Sequence, residues 1–336
     1  MAHFDRSYGI EIECFLPEGT TREDLAAAIT SRLGGLGTCN AEHYNHVTSR
    51  NWKIVTDGSL GDYARGIEIV SPVLSGAASL ATVEVVCRAL NDFGCSVNKK
   101  CGLHVHVGVG AAPLHFWKNI VSMYSVFEGV IDRMMPASRR GSANAYCRTM
   151  TGANINNIAV SESFDRIYSL FGRGRYSKVN MASYLRHNTV EFRQHSGTTD
   201  ANKVTKWTVM CLKMVDTAMG ARFNPFDYAV APQNRARMGT KNYQVGSMLL
   251  RPEGVTPQEA MAATGWTSIS MPEMARICGI EYTTQKTGRI TRYFARQSAS
   301  EVSVDAFATL IQMTAEEKSY MESRINDLSS HIAWAA

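Results

Sequence analysis

Glutamate and histidine side chains recur two residues apart in segments that are otherwise apolar. Glu11 and Glu13 alternate with isoleucine in Gly-Ile-Glu-Ile-Glu, and His104 and His106 alternate with apolar residues in Gly-Leu-His-Val-His. Residues two apart on a β-strand point to the same face. Two like charges on an apolar strand are costly unless water or a cation neutralises them. A solvent-facing edge strand is the alternative for the glutamates, and packed or solvent-facing histidines are the alternative for the His-x-His pair.

Two later segments repeat this pattern with other charged residues. Glu68 interrupts the apolar segment Gly-Ile-Glu-Ile-Val. Glu191 and Arg193 alternate in Val-Glu-Phe-Arg, shortly after Arg186. A carboxylate beside guanidinium groups is either a structural salt bridge or a metal ligand next to a phosphate whose charge arginine stabilises.

Taken together, these segments predict a metal-dependent site on one face of several strands. Hard carboxylate oxygens suit Mg²⁺ or Mn²⁺. The sequence contains neither a GxxxxGK[ST] loop nor a GxGxxG motif. Any nucleotide would therefore be held by metals and side chains on a sheet, and not by a glycine-rich loop.

The elements that must position these residues can be predicted from the hydrophobic pattern. Period-2 alternation predicts strands at Tyr8–Leu16, Trp52–Thr56, Gly66–Val70 and Cys101–Val109, with a further strand pair at Val179–Tyr184 and Thr189–His195. Helical spacing predicts helices at Thr20–Leu33, Ala77–Phe93, Leu114–Met134 and Asn202–Met219.

The order of the motifs resembles the amidoligase family, which belongs to the glutamine synthetase and glutamate–cysteine ligase superfamily. GIEIE, WKIVTDGSL, GIEIVSPVL, CGLHVHVG, RYSKVNMASY and NTVEFRQHSGT follow one another as they do in that family, over residues 7 to 220. The resemblance implies an α+β fold with a glutamine synthetase-like antiparallel sheet, flanking helices, and a concave face that binds ATP and Mg²⁺ or Mn²⁺.

The resemblance also implies an activity and a set of site residues. The activity is an ATP- and Mg²⁺-dependent carboxylate–amine ligase that forms an amide or peptide bond through an acyl phosphate. Its substrates would be an amino acid, a peptide, or a small amine and carboxylate. The implied metal ligands are Glu11, Glu13, Glu68, His104 and Glu191. The implied catalytic residues are Arg193, Arg186, His104 and Asp57. The residues predicted to bind ATP are His106, Arg148, Ser59, Tyr176 and Asn180, with Arg148, like Arg186, chosen by charge and neighbourhood.

A change in composition near residue 230 predicts further parts of the chain. We expect a catalytic domain at 1–230, a linker at 231–245 rich in Gln, Asn, Arg and Gly, a small module at 246–298 and a helical tail at 299–336. Thr314, with Glu317 three residues later, is predicted to cap the last helix.

The small module resembles a winged helix. Its pattern predicts helices at Thr256–Thr264 and Ser270–Cys278, then a basic hairpin near Tyr282–Phe294. Such modules often bind DNA through the second helix, but here that helix offers Arg276 alone and contains Pro272. The predicted hairpin carries Lys286, Arg289, Arg292 and Arg296, which could contact phosphates. A DNA or protein partner is therefore predicted, and a solvated hairpin is the alternative.

Two rival functions follow for the whole chain. One is a DNA-associated protein whose tail directs a ligase-like domain to nucleic acid or to a DNA-bound partner. The other is a binding module that has lost turnover. Retention of the full set of charged motif residues argues against the second, because a binding module does not need all of them.

Bulk composition limits the remaining possibilities. The chain has 336 residues, a formal net charge of +5, 45% hydrophobic and 19% charged residues. No apolar run approaches the ~20 residues needed to span a bilayer, so no membrane partner is expected. Eight scattered cysteines without a CxxC pair predict reduced thiols in the cytoplasm. Cys39, His43 and His46 have metal-binding spacing, but a turn lining the cleft is the favoured interpretation.

Overall fold

A computed structural model describes residues 5–45, 47–151, 155–220, 223–225, 235–251, 253–295 and 302–333, the last four by their backbone only. A seven-stranded sheet organises the first two thirds of the chain. Its strands are β1 (Tyr8–Phe15), β2 (Cys39–Ala41), β3 (Trp52–Thr56), β4 (Gly66–Val70), β5 (Leu103–Gly108), β6 (Val179–Asn180) and β7 (Thr189–Phe192), in the spatial order β2-β3-β4-β1-β5-β7-β6.

The sheet is mixed, so the prediction of an antiparallel sheet is wrong at one edge. Five neighbouring pairs are antiparallel, whereas β2 and β3 run parallel. The intervening residues 42–51 return the chain to the end of the sheet at which β2 began. That connection makes the two strands parallel, and neither strand's own residue pattern reveals it.

One face of the sheet is apolar and fixes the strand register. On β1, Ile10, Ile12 and Cys14 are buried on this face. It packs on α1 (Arg22–Leu33), α2 (Ala78–Phe93), α3 (Leu114–Arg133) and α7 (Ala201–Met219). Fully burying one large aliphatic side chain contributes about 1.5–3 kcal/mol, so a register shift of one residue would expose a whole row of them. The same alternation places Glu11 and Glu13 on the opposite face.

Short helical segments join these elements. They are the 3-10 turns Gly58–Leu60 and Ala137–Arg139 and the helices α4 (Ile155–Ala159), α5 (Phe164–Leu170) and α6 (Tyr184–His187). Ser163 caps α5, since its side chain accepts a hydrogen bond from the backbone N–H of Arg166. The two 3-10 turns and α6 border the polar face of the sheet, whereas α4 and α5 pack against α3.

A second, smaller apolar cluster organises residues 235–295. It is built from α8 (Lys241–Leu249), α9 (Pro257–Thr264), α10 (Met271–Cys278) and the hairpin of β8 (Tyr282–Thr287) and β9 (Ile290–Ala295). Helices α9 and α10 and the hairpin follow the predicted spans closely, whereas α8 was not predicted. Residues 241–245 of the predicted linker lie in α8, and Val245 is fully buried in the cluster. Residues 231–234 of that linker lie outside the described residues, and the winged helix stays a prediction.

The last two helices return to the large core. Phe307 of α11 (Val304–Leu310) is fully buried, with its ring centroid 5.0 Å from that of Phe127 on α3. In α12 (Ala315–Ala333), Glu317 lies 2.5 Å from Nζ of Lys213 on α7. The predicted cap is confirmed, since Thr314 Oγ1 accepts a hydrogen bond from Glu317 N at 3.2 Å.

Within the described part of the chain, no helix combines the length and apolarity that crossing a membrane requires.

Candidate active site

Pairing between the strands brings the predicted residues of four separate segments onto one surface. Glu13 lies opposite Glu68 across β1 and β4, and Glu11 lies opposite His104 across β1 and β5. His106 lies opposite Glu191 across β5 and β7. Directly opposed residues point to the same face with their Cβ atoms about 4.5–5.5 Å apart. Residues far apart in the sequence therefore become neighbours on this face.

Glu11 is at the centre of the cluster. One of its carboxylate oxygens lies 3.2 Å from Nδ1 of His104, and the other lies 3.4 Å from Nε2 of His106. Nε2 of His104 also lies 3.5 Å from a carboxylate oxygen of Glu13, and its Nδ1 lies 3.8 Å from Glu191. His104 is 4% exposed, which makes it an internal member of the cluster and not a solvent-facing histidine.

Two groups of three side chains have the geometry to hold a cation. Glu11, Glu68 and His104 form one group, and Glu11, His106 and Glu191 form the other. Within each group the ligand atoms lie within 4.8 Å of one another. Two carboxylates and one imidazole suit a divalent cation, and the hard oxygens favour Mg²⁺ or Mn²⁺. The donor set thus fits the predicted metals, with Glu11 shared between the groups.

The electrostatics at Glu68 reveal a local excess of negative charge. Burial raises the pKa of Glu68 well above its ordinary value, and the charges of Glu11, Glu13 and Asp57 raise it further. Such a carboxylate must take up a proton or share a cation, because like charges in a desolvated site cannot all stay ionised. This need supports a cation at the Glu68 group.

The opposite side of the cluster is balanced by basic side chains. Burial alone would raise the pKa of Glu191, but the charges of Arg193 and then His106 bring it below its ordinary value. Burial would lower the pKa of His106, but the charges of Glu191 and Glu11 raise it to about 9. Arg193 forms an ion pair with Glu191, and its own pKa is raised. This half of the cluster already carries positive charge.

The polar face is the floor of a cavity of about 880 Å³. Most of the predicted site residues line it, namely Glu11, Glu13, Asp57, Ser59, Glu68, His104, His106, Asn180, Arg186, Glu191 and Arg193. Pockets of about 300–1,000 Å³ hold drug-sized ligands, so the cavity has room for a nucleotide or a comparable ligand.

Local turns and hydrogen bonds position the other predicted residues. Asp57 begins the 3-10 turn Gly58–Leu60, because its side chain accepts a hydrogen bond from Ser59 N at 2.8 Å. Asn180 is buried and donates a hydrogen bond to Glu191 Oε2 at 2.5 Å. Arg186 is exposed on α6 at the edge of the cavity.

Two of the predicted ATP-binding residues are not brought into the cavity lining. Arg148 is exposed, and its backbone N–H donates to the carbonyl of Tyr176 at 2.7 Å. The Tyr176 ring packs against Tyr146 at a centroid distance of 5.3 Å, and Arg175 lies over it. In this structure Tyr146 and Arg175 line the cavity in their place. The prediction of Arg148 rests on its charge and its neighbourhood in the sequence, and neither decides which way a loop residue points.

Several other residues that line the cavity were not predicted from the sequence. Lys99, Lys100 and Arg139 put positive charge on the wall, and Tyr44 and Tyr63 contribute aromatic rings. The Lys-Lys pair three residues before the start of β5 was an available signal, since a basic pair next to a strand with predicted metal ligands suggests an anionic ligand. Arg139 offered no comparable signal, because only folding brings its loop to the cavity.

The alternative metal site and the cysteines remain outside the cluster. Cys39 is buried in β2 and His43 is exposed, while His46 lies outside the described residues. Neither of the two candidate cation groups among the described residues includes Cys39 or His43. All eight cysteines are free thiols, and Cys95 is the one that is not buried.

The basic residues of the C-terminal unit are partly paired within it. Arg292 forms a bidentate contact with Glu259, at 2.9 and 2.6 Å. Arg276 does the same with Glu273, at 2.9 and 2.5 Å. Lys286 and Arg289 are exposed, and Arg296 lies outside the described residues. Internal pairing leaves fewer charges for a phosphate backbone than the sequence suggests.

Comparison with known proteins gives one family match. A family model described as a putative amidoligase enzyme matches residues 5–215, a range that contains every strand of the large sheet. No curated protein matches the chain. Among solved structures, the chain is similar to the glutamine synthetase of Plasmodium falciparum determined by cryo-electron microscopy. That match has 12% sequence identity and a TM-score of 0.35, and it covers 98% of this chain and 73% of that one.

Proposed function

Because the chain belongs to the amidoligase family, we propose that it is an ATP-dependent carboxylate–amine ligase that requires Mg²⁺ or Mn²⁺. It joins a carboxylate to an amine, each supplied by an amino acid, a peptide or a small molecule, and it does so through an acyl phosphate. Family membership supports a ligase. The choice of ATP and of the acyl phosphate rests on the family resemblance, and the donor set of the cavity supports the divalent metal.

One observation carries the proposal: two candidate cation groups share Glu11 on the floor of a cavity whose wall is basic. Enzymes that transfer phosphoryl groups place divalent cations and guanidinium groups around the γ-phosphate. Arg193 lies at the second group, ion-paired to Glu191 and 8% exposed. Its planar guanidinium suits a phosphoryl oxygen.

The roles of the chain's residues follow from their positions. Glu11, Glu68, His104, His106 and Glu191 would hold the cations, with Glu13 beside them. When bound, divalent cations neutralise phosphate charge and orient the γ-phosphate for in-line attack. Arg193 and Arg186 stabilise negative charge on the phosphoryl group as it moves. Lys99, Lys100 and Arg139 make the wall favourable for an anionic substrate.

The proposed reaction has two steps. The substrate carboxylate attacks the γ-phosphorus, and the bond to the β–γ bridging oxygen breaks, which releases ADP and leaves an acyl phosphate. The amine then attacks the acyl carbon and expels phosphate, forming the amide. The amine loses a proton in this step. Asp57 lines the cavity outside both candidate cation groups and is the proposed acceptor. No enzyme nucleophile is needed.

The products formed from ATP test this proposal directly. The protein is incubated with ATP, Mg²⁺ and a mixture of amino acids or a small-molecule cell extract, and the products are identified by mass spectrometry. We expect ADP and phosphate in equal amounts, together with a new amide. Formation of AMP and pyrophosphate would overturn the acyl-phosphate mechanism.

The DNA-associated alternative has less to support it. Arg276 and Arg292 are each paired with a glutamate of the same unit. A DNA or protein partner for the C-terminal unit stays a prediction, which the salt dependence of binding to a DNA duplex would test.

A further inference from the structure

Residues 137–150 form one wall of the cavity. Ser138, Arg139, Asn144 and Tyr146 line it from this segment. The carbonyl of Tyr146 accepts a hydrogen bond from Nε of Arg193 at 3.2 Å. Beyond the short turn Ala137–Arg139, the segment has little regular secondary structure. Its backbone groups therefore need partners elsewhere if the wall is to keep one position.

Two carboxylates on α3 supply those partners, one near each end of the wall. Oδ2 of Asp132 accepts a hydrogen bond from the backbone N–H of Gly141 at 2.8 Å. Oε2 of Glu128 accepts one from the backbone N–H of Met150 at 2.6 Å. Oε1 of Glu128 also accepts from the Thr149 hydroxyl at 2.6 Å. Backbone N–H donors to a carboxylate make strong, well-directed hydrogen bonds.

Lys178 joins the two carboxylates. Its Nζ lies 2.7 Å from Glu128 Oε1 and 2.5 Å from Asp132 Oδ1, and its side chain is fully buried. The carbonyl of Lys178 accepts a hydrogen bond from the backbone N–H of Arg193 at 2.8 Å. Gln194, also fully buried, donates to Asp132 and to the carbonyl of Arg139. A buried charge is tolerated when it is paired and hydrogen-bonded, as each one is in this network.

We propose that Glu128, Asp132 and Lys178 are positioning residues for the active site. They hold the 137–150 wall and, through the Tyr146 carbonyl, fix the guanidinium of Arg193. None of the three lines the cavity, so they act through the wall and not on a ligand. Where it concerns nucleotide binding, this inference rests on the proposed function.

Glu128→Gln tests whether the network holds the wall. In the wild type, Lys178, the Thr149 hydroxyl and the Met150 amide all donate to the two carboxylate oxygens of Glu128. Glutamine has one acceptor oxygen, so it cannot accept all of these hydrogen bonds. We expect hydrogen exchange of the Met150 amide to accelerate about tenfold or more, because a hydrogen bond to a charged acceptor is lost or weakened. Peptides from β1 should keep their wild-type exchange.

Glu317→Gln is the matched control. It neutralises another largely buried carboxylate, which is paired with Lys213 at 2.5 Å and lies on α12. It should lower the melting temperature of the protein without changing exchange in the 137–150 wall. Unchanged exchange at Met150 in Glu128→Gln, relative to this control, would overturn the proposal.

A second measurement tests the link to Arg193. Binding of a non-hydrolysable ATP analogue with Mg²⁺ is measured by calorimetry for the wild type and both variants. We expect Glu128→Gln to weaken binding about tenfold and Glu317→Gln to leave it unchanged. Faster wall exchange with unchanged binding would refute the role in placing Arg193. If the wild type itself does not bind the analogue, the proposed function fails, and the exchange measurement alone decides whether the network holds the wall.

Asp132→Asn keeps the test available if Glu128→Gln does not fold. The Asp132 side chain is 19% exposed, so the isosteric change is easier to accommodate. It should accelerate exchange at Gly141 and leave Met150 protected. If the Gly141 amide exchanges as slowly in Asp132→Asn as in the wild type, the proposal is contradicted.

Discussion

At the scale of single residues, the site depends on Glu11 more than on any other carboxylate. Glu11 belongs to both candidate cation groups and contacts both histidines of the His-x-His pair. Burial would raise the pKa of Glu11, but the charge of His106 and hydrogen bonds to both histidines hold it well below its ordinary value. It is therefore an anion at neutral pH, as a ligand for a hard cation must be.

Glu11→Gln should disrupt both candidate cation groups, so that the variant no longer binds two cations. Glu68→Gln should weaken the affinity of one group only. The reason is that Glu11 is shared, while Glu68 belongs to a single group. Titration with Mn²⁺ followed by electron paramagnetic resonance counts the bound ions. Glu23→Gln, on the exposed face of α1, is the control and should bind as the wild type does. Equal stoichiometry in Glu11→Gln and the wild type would remove Glu11 from the ligand set.

His195 gives a second prediction at this scale, for stability against acid. It is 4% exposed and its ring packs against Trp207. Burial lowers its pKa, a hydrogen bond to the Ser196 carbonyl opposes the shift, and the positive charges of Arg324, Lys203 and Arg139 add to it, so that the pKa falls from 6.5 to about 4. Between these values the unfolded chain binds the proton and the folded chain does not. Stability is therefore lost as the pH falls from 6.5 towards 4.

This loss should amount to at most about 3 kcal/mol, since each unit of pKa shift corresponds to about 1.4 kcal/mol. His195→Gln removes the titrating group, so its free energy of unfolding should fall less between those pH values than that of the wild type. Urea unfolding at several pH values measures the difference. Parallel pH profiles for both proteins would show that His195 does not contribute.

At the scale of elements, the residue that precedes β5 controls the position of two side chains of the carboxylate–histidine cluster. The backbone N–H of Gly102 donates to Glu13 Oε2 at 2.6 Å. A Cβ at Gly102 would lie 2.7 Å from Nε2 of His104 and 3.3 Å from Oε2 of Glu13. The glycine of the Gly-Leu-His-Val-His motif is therefore required by the close approach of two side chains, and not by an unusual backbone angle.

Gly102→Ala should accordingly weaken cation binding by about tenfold or more while leaving the sheet folded. Overpacking of this kind costs about 1–3 kcal/mol, and here the strain is relieved most easily by moving His104. Gly129→Ala, on α3, is the matched control, because a Cβ at Gly129 would have no neighbouring atom within 4 Å. Calorimetric titration with Mn²⁺, with circular dichroism to monitor folding, distinguishes the two variants. Wild-type affinity in Gly102→Ala would show that the site tolerates the methyl group.

At the scale of the whole molecule, the chain returns to its first core after forming a second one. Residues 235–295 carry their own apolar cluster, whereas Phe307, Ile311, Met321 and Ile325 belong to the cluster of the large sheet. These residues of the tail therefore help to stabilise the fold of the large sheet. The predicted boundaries of the domains stay predictions, but α11 and α12 of the tail pack on the large core.

Phe307→Ala should lower the free energy of unfolding of the large core by about 3–5 kcal/mol, since a fully buried phenylalanine is replaced by a cavity. Phe294→Ala makes the same change in the C-terminal hairpin, where Phe294 is 4% exposed. It should leave hydrogen exchange of the β1 amides unchanged, while Phe307→Ala accelerates it. If both variants accelerate that exchange alike, the two clusters unfold as one cooperative unit.

The sequence by itself determined the strands of the site and the face on which the site lies. A period of two fixes which residues share a face, so Glu11 with Glu13 and His104 with His106 could be paired from the printed residues. The spans of α9, α10 and the hairpin were also predictable, because caps and glycines mark their ends locally. The motif order over the first two thirds of the chain identified the family.

Tertiary structure alone decided which residues meet across the sheet and what surrounds them. The pairing of His106 with Glu191 and the parallel orientation of β2 and β3 depend on how distant segments meet. The local residue pattern does not indicate either of them. The same holds for Arg139 and the Lys178 network. A buried charge must find its partners in three dimensions. The partners of Lys178 lie on α3, and those of Arg139 lie in the loop before β5, far away in the sequence.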